Sequence, residues 1–413
     1  MEVFKFGGAS VKDAESIQNM REIVESQAQS QLVIVVSAMG KTTNELQTIA
    51  DQILSGEPID DQVLELLNRH EETCRGLLGE IPKKFIETKQ DFFNDIKAPP
   101  TNELEFSDRI ISYGELFSTI IIAACLGAVW LDARDLIKTD TRFSEAEVDW
   151  DITTTLIKER FTKSLNKSSV VVTQGFIGSE PSGRTTTLGR EGSDFSAAIF
   201  AHSLDATSLT VWKDVPGLLT ADPKVLPNAL KFDHISYQEV IEMTYYGAKV
   251  IHPKTIYPLA QKGIPLYVRS FLNPETDGTE ISEDKKVATI PCFVFKQSQM
   301  LFTIRVKDNS FMDELKMSQI LATLSKLHIK ANLMHNSALT FTVCMDQDER
   351  KEAQLIDALS PIFHVLYNEG LWLLTIKNYD QYSFSVIPDN AEKIIEEQTR
   401  MNYQVVYRLN ESS

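Results

Sequence analysis

Four short stretches of this sequence hold residue types that suit phosphoryl transfer to an amino acid. They span residues 5–8, 37–44, 112–115 and 187–194. A lysine beside paired glycines suits a phosphate, whereas a lone glutamate and a lone arginine suit an ammonium and a carboxylate. One such stretch alone would be weak evidence, but the four together predict a site that holds both a phosphate and an amino acid.

The first stretch is the phosphate end of this predicted site. Lys5 lies at the mouth of a short apolar strand, and Gly7 and Gly8 follow it. Glycines let backbone N–H groups approach an anion, and the N-terminus of the next helix adds partial positive charge. We therefore expect Lys5 to stabilise the transferring phosphoryl group. The alternative is an ordinary tight turn that carries a surface lysine.

The amino-acid end rests on two charged residues. Glu115 lies in a strongly apolar helix, where an unpaired carboxylate is costly to bury. Its expected partner is the ammonium group of a substrate, although a structural salt bridge to a core arginine would also satisfy it. Arg190 lies just before a helix of small residues, next to Ser193 and Asp194, and could hold a substrate carboxylate through two hydrogen bonds.

Two polar loops supply further candidates. Ser37, Thr43 and Asn44 follow a buried strand, which is the usual ligand position in open α/β sheets, although they could instead cap a helix. Asp214 and Lys224 lie in a later loop punctuated by proline and glycine, where a lysine could meet nucleotide phosphates.

Short apolar runs separated by helical stretches must position these residues. Predicted strands cover residues 3–6, 32–36, 129–131, 170–173, 209–212 and 266–268. The segments between them are long enough for crossover connections. We predict a mostly parallel, three-layer αβα domain over residues 1–282 with a helical lobe at about 58–107, followed by a linker over residues 283–298.

The C-terminal part of the chain has a different pattern. Residues 299–368 show the order strand, helix, strand, strand, helix, strand, which is a split βαβ domain of α+β type. Residues 369–413 show a shorter repeat, with predicted strands at 371–376, 382–386 and 403–407 and a predicted helix at 391–400. In this second unit the first helix is predicted to be missing.

Composition excludes several classes of function. The 413 residues carry a formal net charge of -17, which argues against nucleic acid or an anionic membrane as the main partner. The four cysteines are far apart and form no C-x-x-C pair, so neither a zinc site nor a disulfide framework is predicted. The chain starts without a secretory signal pattern, and we expect a cytoplasmic protein.

These motifs, in this order, resemble those of the aspartate kinases over essentially the whole chain. The strongest parts are residues 5–10, 187–194, 212–228 and 246–253. The resemblance implies Mg-ATP-dependent phosphorylation of the side-chain carboxylate of L-aspartate, giving 4-phospho-L-aspartate and ADP. This is the first step towards lysine, threonine and methionine. It also implies an amino-acid-kinase sandwich followed by ACT-like regulatory domains at 299–368 and 369–413, through which a homodimer forms.

The resemblance also assigns roles to residues by position. Lys5 and Asp194 are implied as catalytic, and Mg2+ is expected to be bound mainly through the ATP phosphates, with no metal site of the protein's own. Positions implied to hold aspartate are Ser37, Thr43, Asn44, Glu115, Arg190, Glu191, Gly192 and Ser193. Positions implied on the nucleotide side are Lys5, Gly7, Gly8, Lys213, Asp214, Leu219, Lys224, Lys249 and Val250.

The sequence departs from the family pattern at several of these positions. Ala9 and Lys213 each stand where threonine is usual, Glu191 where glycine is usual, and Leu219 where tyrosine is usual. Asn332 lies in a strand that often carries an aspartate, which puts feedback by lysine or threonine in question.

Three alternatives remain open at this point. One is another amino-acid or carbamate kinase of the same fold, because the phosphate machinery does not name the acceptor. Another is an amino-acid sensor or scaffold that kept the fold and lost activity. For the C-terminal region, a dimerisation module without any ligand is weighed equally with effector sensing.

Overall fold

The computed structural model describes residues 1–28, 31–98, 102–165, 168–248, 251–283, 290–308 and 310–410. Their contacts divide the chain into two compact units. The N-terminal unit comprises residues 1–218, 231–241 and 251–283 of the described chain. The C-terminal unit comprises residues 219–230, 242–248 and 290–410.

The N-terminal unit is built on an eight-stranded sheet with the strand order β3-β4-β2-β1-β7-β9-β10-β8. All neighbouring pairs run parallel except β9 and β10. A separate hairpin, β5-β6, precedes the fourth motif. The strands are β1 (Glu2–Phe6), β2 (Leu32–Val36), β3 (Val129–Leu131), β4 (Val170–Gln174), β5 (Ile177–Ser179), β6 (Thr185–Thr187), β7 (Ser208–Lys213), β8 (His234–Ser236), β9 (Leu266–Ser270) and β10 (Thr279–Ser282).

Helices cover both faces of this sheet. Phe4, Phe6, Ile34 and Val36 share one apolar core with the first six helices, whereas α8 contacts β1, β2 and β7. The prediction of a three-layer, mostly parallel α/β fold is confirmed. The helices are α1 (Ala14–Gln27), α2 (Thr42–Ser55), α3 (Asp60–Leu78), α4 (Lys83–Lys97), α5 (Glu103–Ile111), α6 (Tyr113–Leu126), α7 (Trp150–Leu165), α8 (Gly192–Ser203), α9 (Tyr237–Tyr246) and α10 (Pro253–Lys262).

Burial explains why the central strands were readable from the sequence. Every residue of β2 is buried, which is the expected state of a parallel strand covered on both faces. The stretch Glu103–Leu126, across α5 and α6, is long and apolar enough to cross a membrane, but 78% of its most apolar window is buried inside the protein. Core helices of this kind are apolar all round because they pack on every side.

The C-terminal unit contains a six-stranded sheet with the order β12-β13-β11-β14-β16-β15. Its neighbouring strands run antiparallel. The predicted strand-helix-strand-strand-helix-strand order is confirmed. Its elements are β11 (Cys292–Val306), α11 (Glu314–Lys326), β12 (Leu333–Asn336), β13 (Thr340–Asp346), α12 (Glu349–Leu359), β14 (Phe363–Lys377), β15 (Ala391–Gln398) and β16 (Asn402–Leu409).

The second, shorter repeat differs from its prediction in two places. The predicted strand at 382–386 is wrong, because Ser383–Val386 forms a 3₁₀ turn. The predicted helix at 391–400 is also wrong, because Ala391–Gln398 pairs with β16 as a strand. The expected linker over residues 283–298 differs as well, since β11 begins at Cys292 and pairs with β14 from there.

Two short segments of the N-terminal sequence pack within the C-terminal unit. In segment 219–230, the carbonyl of Thr220 accepts a hydrogen bond from the N–H of Phe293 at 2.7 Å. In segment 242–248, Glu242 pairs with Lys377 at 2.8 Å. A single domain boundary in the sequence therefore does not separate the two units, because both segments come before that boundary and yet belong to the C-terminal unit.

Candidate active site

The N-terminal unit holds a cavity of about 650 Å³. All four predicted stretches contribute residues to its lining, although Gly7 and Gly8 of the first stretch do not. Lys5 and Ser37 lie at the ends of β1 and β2, and Glu115 lies in the first turn of α6. The lining residues are Lys5, Ser37, Thr43, Asn44, Gln47, Ser107, Asp108, Ile111, Glu115, Ser144, Phe176, Thr187, Gly189, Arg190, Glu191, Gly192, Ser193, Asp194 and Lys213.

Asp194 is the centre of the charged end of this cavity. Lys5 Nζ lies 2.6 Å from Oδ1 of Asp194, and Lys213 Nζ lies 3.3 Å from Oδ2. Burial alone would raise the pKa of Asp194, but the two ammonium groups outweigh it and lower that pKa to about 2. Asp194 is thus ionised at neutral pH and pairs with two lysines near the C-terminal ends of the neighbouring strands β1 and β7.

Glu115 is a buried carboxyl group, and only one of its two oxygens has a hydrogen-bond partner among the described residues. Its Oε1 accepts a hydrogen bond from the N–H of Ala38 at 3.2 Å, whereas Oε2 is buried without a hydrogen-bond partner. Burial raises the pKa of Glu115 to about 8, although the Ala38 N–H and the charge of Lys5 both oppose the rise. The structural alternative, a salt bridge to a core arginine, is not found among the described residues. The arrangement suits a cationic ligand group.

Two glycines allow the close approach that places these side chains. A Cβ on Gly114 would lie 2.8 Å from Cβ of Ala38, so only glycine lets α6 come near enough for the Glu115–Ala38 hydrogen bond. A Cβ on Gly175 would lie 2.6 Å from Cβ of Ser193. Gly175 follows β4 and therefore lets the start of α8 pack directly against the sheet edge.

The loop before α8 carries Arg190 and Glu191. Arg190 is exposed, lines the cavity, and forms no hydrogen bond or ion pair with any residue in the described part of the chain. Glu191 adopts φ 54°, the left-handed region that favours glycine, and its Oε2 is buried without a hydrogen-bond partner. The loop thus offers one guanidinium and one carboxylate oxygen to a ligand.

Asp108 is a cavity residue that sequence reasoning missed. It accepts hydrogen bonds from the N–H groups of Ser144 and Thr187 at 2.9 and 2.8 Å, and from Oγ1 of Thr187 at 2.8 Å. Burial raises the pKa of Asp108, and these hydrogen bonds act against the rise. Through these hydrogen bonds Asp108 links α5 to the loop at Ser144 and to the end of β6. The available signal was an aspartate in an apolar helix seven positions before Glu115.

The predicted nucleotide residues are not all brought together. Gly7 and Gly8 follow β1, where a Cβ on Gly8 would lie 2.8 Å from the carbonyl oxygens of Ala38 and Gly40, but neither glycine lines the cavity. Asp214 is exposed and does not line it either. Leu219 and Lys224 belong to the C-terminal unit. Lys249 and Val250 lie outside the described residues.

The chain is similar to known proteins over most of its length. The model of the amino acid kinase family matches residues 1–270. Lysine-sensitive aspartokinase 3 of Escherichia coli is 32% identical over 397 residues, which cover 92% of this chain and 87% of that protein. This chain belongs to the aspartokinases of the amino acid kinase family.

Solved structures of a related aspartokinase extend the likeness over both units. Aspartokinase III of E. coli in complex with aspartate and ADP has a TM-score of 0.82 and 28% identity, covering 98% of this chain and 96% of the other. The same enzyme in complex with lysine and aspartate has a TM-score of 0.81 and 28% identity, covering 98% and 95%. The aspartokinase fold therefore includes the C-terminal sheet as well as the α/β unit.

Proposed function

We propose that the cavity of this aspartokinase binds L-aspartate next to the γ-phosphate of ATP. In this proposal Lys5 contacts the transferring phosphoryl group, Glu115 the ammonium of aspartate and Arg190 its α-carboxylate. The enzyme phosphorylates the side-chain carboxylate of aspartate. One observation supports these assignments: the same cavity is lined by the two lysines that pair with Asp194, by Glu115 and by Arg190. Among the described residues, neither Oε2 of Glu115 nor the Arg190 guanidinium has a hydrogen-bond partner.

The chemistry needs positioning and charge neutralisation more than acid or base catalysis. The side-chain carboxylate of aspartate is already ionised at pH 7, so no base must activate it. One of its oxygens attacks the γ-phosphorus in line with the leaving oxygen of ADP. In this proposal Lys5 neutralises the charge on the transferring phosphoryl, and Asp194 holds Lys5 and Lys213 in place for it.

Aspartate is oriented by its other two groups. The positive charge of the ammonium favours the ionised form of Glu115, which releases its proton on binding; Oε2 then accepts a hydrogen bond from the ammonium, and Arg190 binds the α-carboxylate. The polar side chains of Ser37, Thr43 and Ser193 also line the cavity and can hydrogen-bond the substrate. Fixing both ends leaves the side-chain carboxylate pointed at the phosphate.

Magnesium belongs to this proposal as a companion of ATP. Among the described residues, no group of three or more His, Cys, Asp or Glu side chains is placed to hold a metal ion. Asp194, the acid nearest to Lys5, already meets an ammonium group at each oxygen. This donor set fits Mg2+ that is bound mainly through phosphate oxygens, where it would neutralise charge on ATP.

Trapping of the acyl phosphate tests this function. Protein, Mg-ATP and hydroxylamine are incubated with L-aspartate, L-glutamate or N-acetylglutamate in parallel, and the hydroxamate is measured. We expect a signal with aspartate alone. A signal with another acceptor would move the activity elsewhere in the fold family, and no signal with any acceptor would favour a sensor that has lost catalysis.

Regulation and assembly are further proposals for the C-terminal unit. Asn332 accepts a hydrogen bond from Lys296 at 2.8 Å and donates to Gln299 and Asp346 at 2.8 and 2.9 Å, so its amide is already engaged. This supports a dimerisation module, and lysine or threonine as an effector stays the alternative. Calorimetry with lysine, threonine and methionine, together with light scattering for the dimer, distinguishes them.

We also propose a cytoplasmic location. Cys74 and Cys344 are buried as free thiols, which suits a reducing compartment. Fractionation of cells that express the protein would test this.

A further inference from the structure

Glu191 is a costly residue at its position. Its backbone angles, φ 54° and ψ 25°, lie in the left-handed region, where glycine is unstrained and a side chain is not. It stands at the N-cap of α8, yet its side chain makes no capping hydrogen bond. Its Oε2 is buried without a partner. Strained residues with unsatisfied polar atoms are concentrated at functional sites, so a role in ligand binding is the natural explanation.

The surroundings of Glu191 indicate which ligand group it meets. It lines the same cavity as Glu115 and Arg190. Glu115 offers one free oxygen, because its other oxygen already accepts the Ala38 N–H. Within the described part of the chain, the cavity therefore holds two glutamate oxygens that lack donors and one guanidinium that lacks acceptors. A ligand that satisfies all three carries several N–H donors and a carboxylate.

An amino-acid ammonium has three N–H donors, and the single free oxygen of Glu115 cannot accept them all. We propose that Glu191 is a specificity-determining residue that accepts a second hydrogen bond from the substrate ammonium and so selects acceptors with a free amino group. This inference rests on the proposed binding of aspartate in the cavity. A dicarboxylate without an ammonium would leave both oxygens without a hydrogen-bond donor.

Two substitutions separate binding from backbone strain. Glu191→Gly removes the carboxylate and places glycine at φ 54°, whereas Glu191→Gln removes the charge and keeps the strain. We expect KM for aspartate to rise about tenfold in both, with kcat within about twofold. Only Glu191→Gly should melt at a higher temperature, by about 2 °C. A purely structural glutamate would alter the melting temperature and leave KM unchanged.

A nearby glutamate outside the cavity provides the control. Glu145 is exposed and packs beside Gly189 without lining the cavity. Glu145→Gln should leave KM for aspartate and the melting temperature at their wild-type values. A tenfold rise in KM for this variant as well would overturn the assignment to Glu191.

Binding measurements provide a readout apart from turnover. Calorimetric Kd for aspartate should weaken about tenfold in both Glu191 variants, whereas competitive inhibition by succinate, which lacks the ammonium, should stay equal or become stronger. Unchanged aspartate affinity, or equal weakening for aspartate and succinate, would overturn the inference. If the wild-type protein neither bound nor phosphorylated aspartate, the proposed function would fail, and this inference with it.

Discussion

At the scale of single residues, the ion pairs of Asp194 link folding to turnover. Removing one member of a buried pair usually costs about 3–5 kcal/mol, because it leaves a charge without compensation. Lys213 still pairs with Asp194 when Lys5 is lost, so we expect a smaller cost and a folded protein. Lys5→Ala should lower kcat by about 10³-fold or more, measured by acyl-phosphate trapping beside a thermal melt.

A double variant tests whether Lys213 compensates Asp194 when Lys5 is lost. Because Lys213 still pairs with Asp194 in Lys5→Ala, adding Asp194→Asn removes that remaining pair, so the melting temperature should fall further while turnover stays absent. If Lys5→Ala alone kept turnover near the wild-type rate, the transition state would not be using the lysine's charge, and the proposed mechanism would be abandoned.

Glu115 makes stability depend on pH. Burial raises its pKa from an ordinary 4.5 to about 8, so between these values the folded protein keeps a proton that the unfolded chain releases. Stability from this group therefore falls as pH rises through that interval. Glu115→Gln cannot lose a proton, and we expect its melting temperature to exceed that of the wild type increasingly from about pH 5 to about pH 8, with a constant difference above that.

The same variant tests the binding role of Glu115. Its KM for aspartate should rise about tenfold or more, since an amide is a weaker partner for an ammonium than a carboxylate. A melting-temperature difference that stays constant across the pH series would contradict the raised pKa, and an unchanged KM would contradict the ammonium contact.

At the scale of elements, close packing between β4 and α8 sets the geometry of the cavity. A Cβ on Gly175 would lie 2.6 Å from Cβ and 2.8 Å from Cα of Ser193, so the start of α8 must shift to admit it. Asp194 is the next residue of that helix. We expect Gly175→Ala to lower kcat/KM by about 100-fold, because misplacement of about 1 Å can cost that much.

An exposed glycine provides the control for this variant. Gly76 lies in α3, and a Cβ there would lie 3.7 Å from Cβ of Ala14, which is an ordinary contact. Gly76→Ala should keep wild-type kinetics and stabilise the helix by about 0.5–1 kcal/mol. Wild-type turnover in Gly175→Ala would show that α8 tolerates displacement and that its packing does not set the cavity.

The parallel strands could be predicted and the last repeat could not, for physical reasons. The buried run of β2 is apolar throughout, so composition alone identifies it. Residues 391–398 are mostly good helix formers, and local propensity favours a helix. They form β15 because they pair with β16 from Ala391 opposite Leu409 to Gln398 opposite Tyr403. Strand pairing of this kind depends on the neighbouring strand rather than on intrinsic preference.

Site residues could be predicted from the sequence where the immediately neighbouring residues made one side chain unusual. Glu115 was notable as a charge in an apolar helix, and Arg190 as a lone cation in a glycine-containing turn. Asp108 was not found, because its partners Ser144 and Thr187 lie 36 and 79 positions away in the chain. The same limit applies to the nucleotide side, where Leu219 and Lys224 fall in a different unit from Lys213.

At the scale of the whole molecule, segment 242–248 belongs to the catalytic half by sequence and to the C-terminal unit by packing. Glu242 pairs with Lys377, whose side chain is 8% exposed, and the hydroxyl of Tyr246 accepts a hydrogen bond from Asn402 at 3.0 Å. The chain then continues into Lys249 and Val250, which are predicted to lie on the nucleotide side. Loosening this segment should therefore change KM for ATP more than KM for aspartate.

Lys377→Met tests this dependence. Methionine keeps the apolar stem of the side chain but removes the ion pair with Glu242, so segment 242–248 should become less firmly held. We expect KM for ATP to rise about threefold to tenfold and KM for aspartate to stay constant, because the lining of the aspartate cavity lies within the N-terminal unit. Lys393→Met removes an exposed pair with Glu396 on β15 and should change neither. An equal rise in both KM values for Lys377→Met would point instead to general destabilisation of the fold.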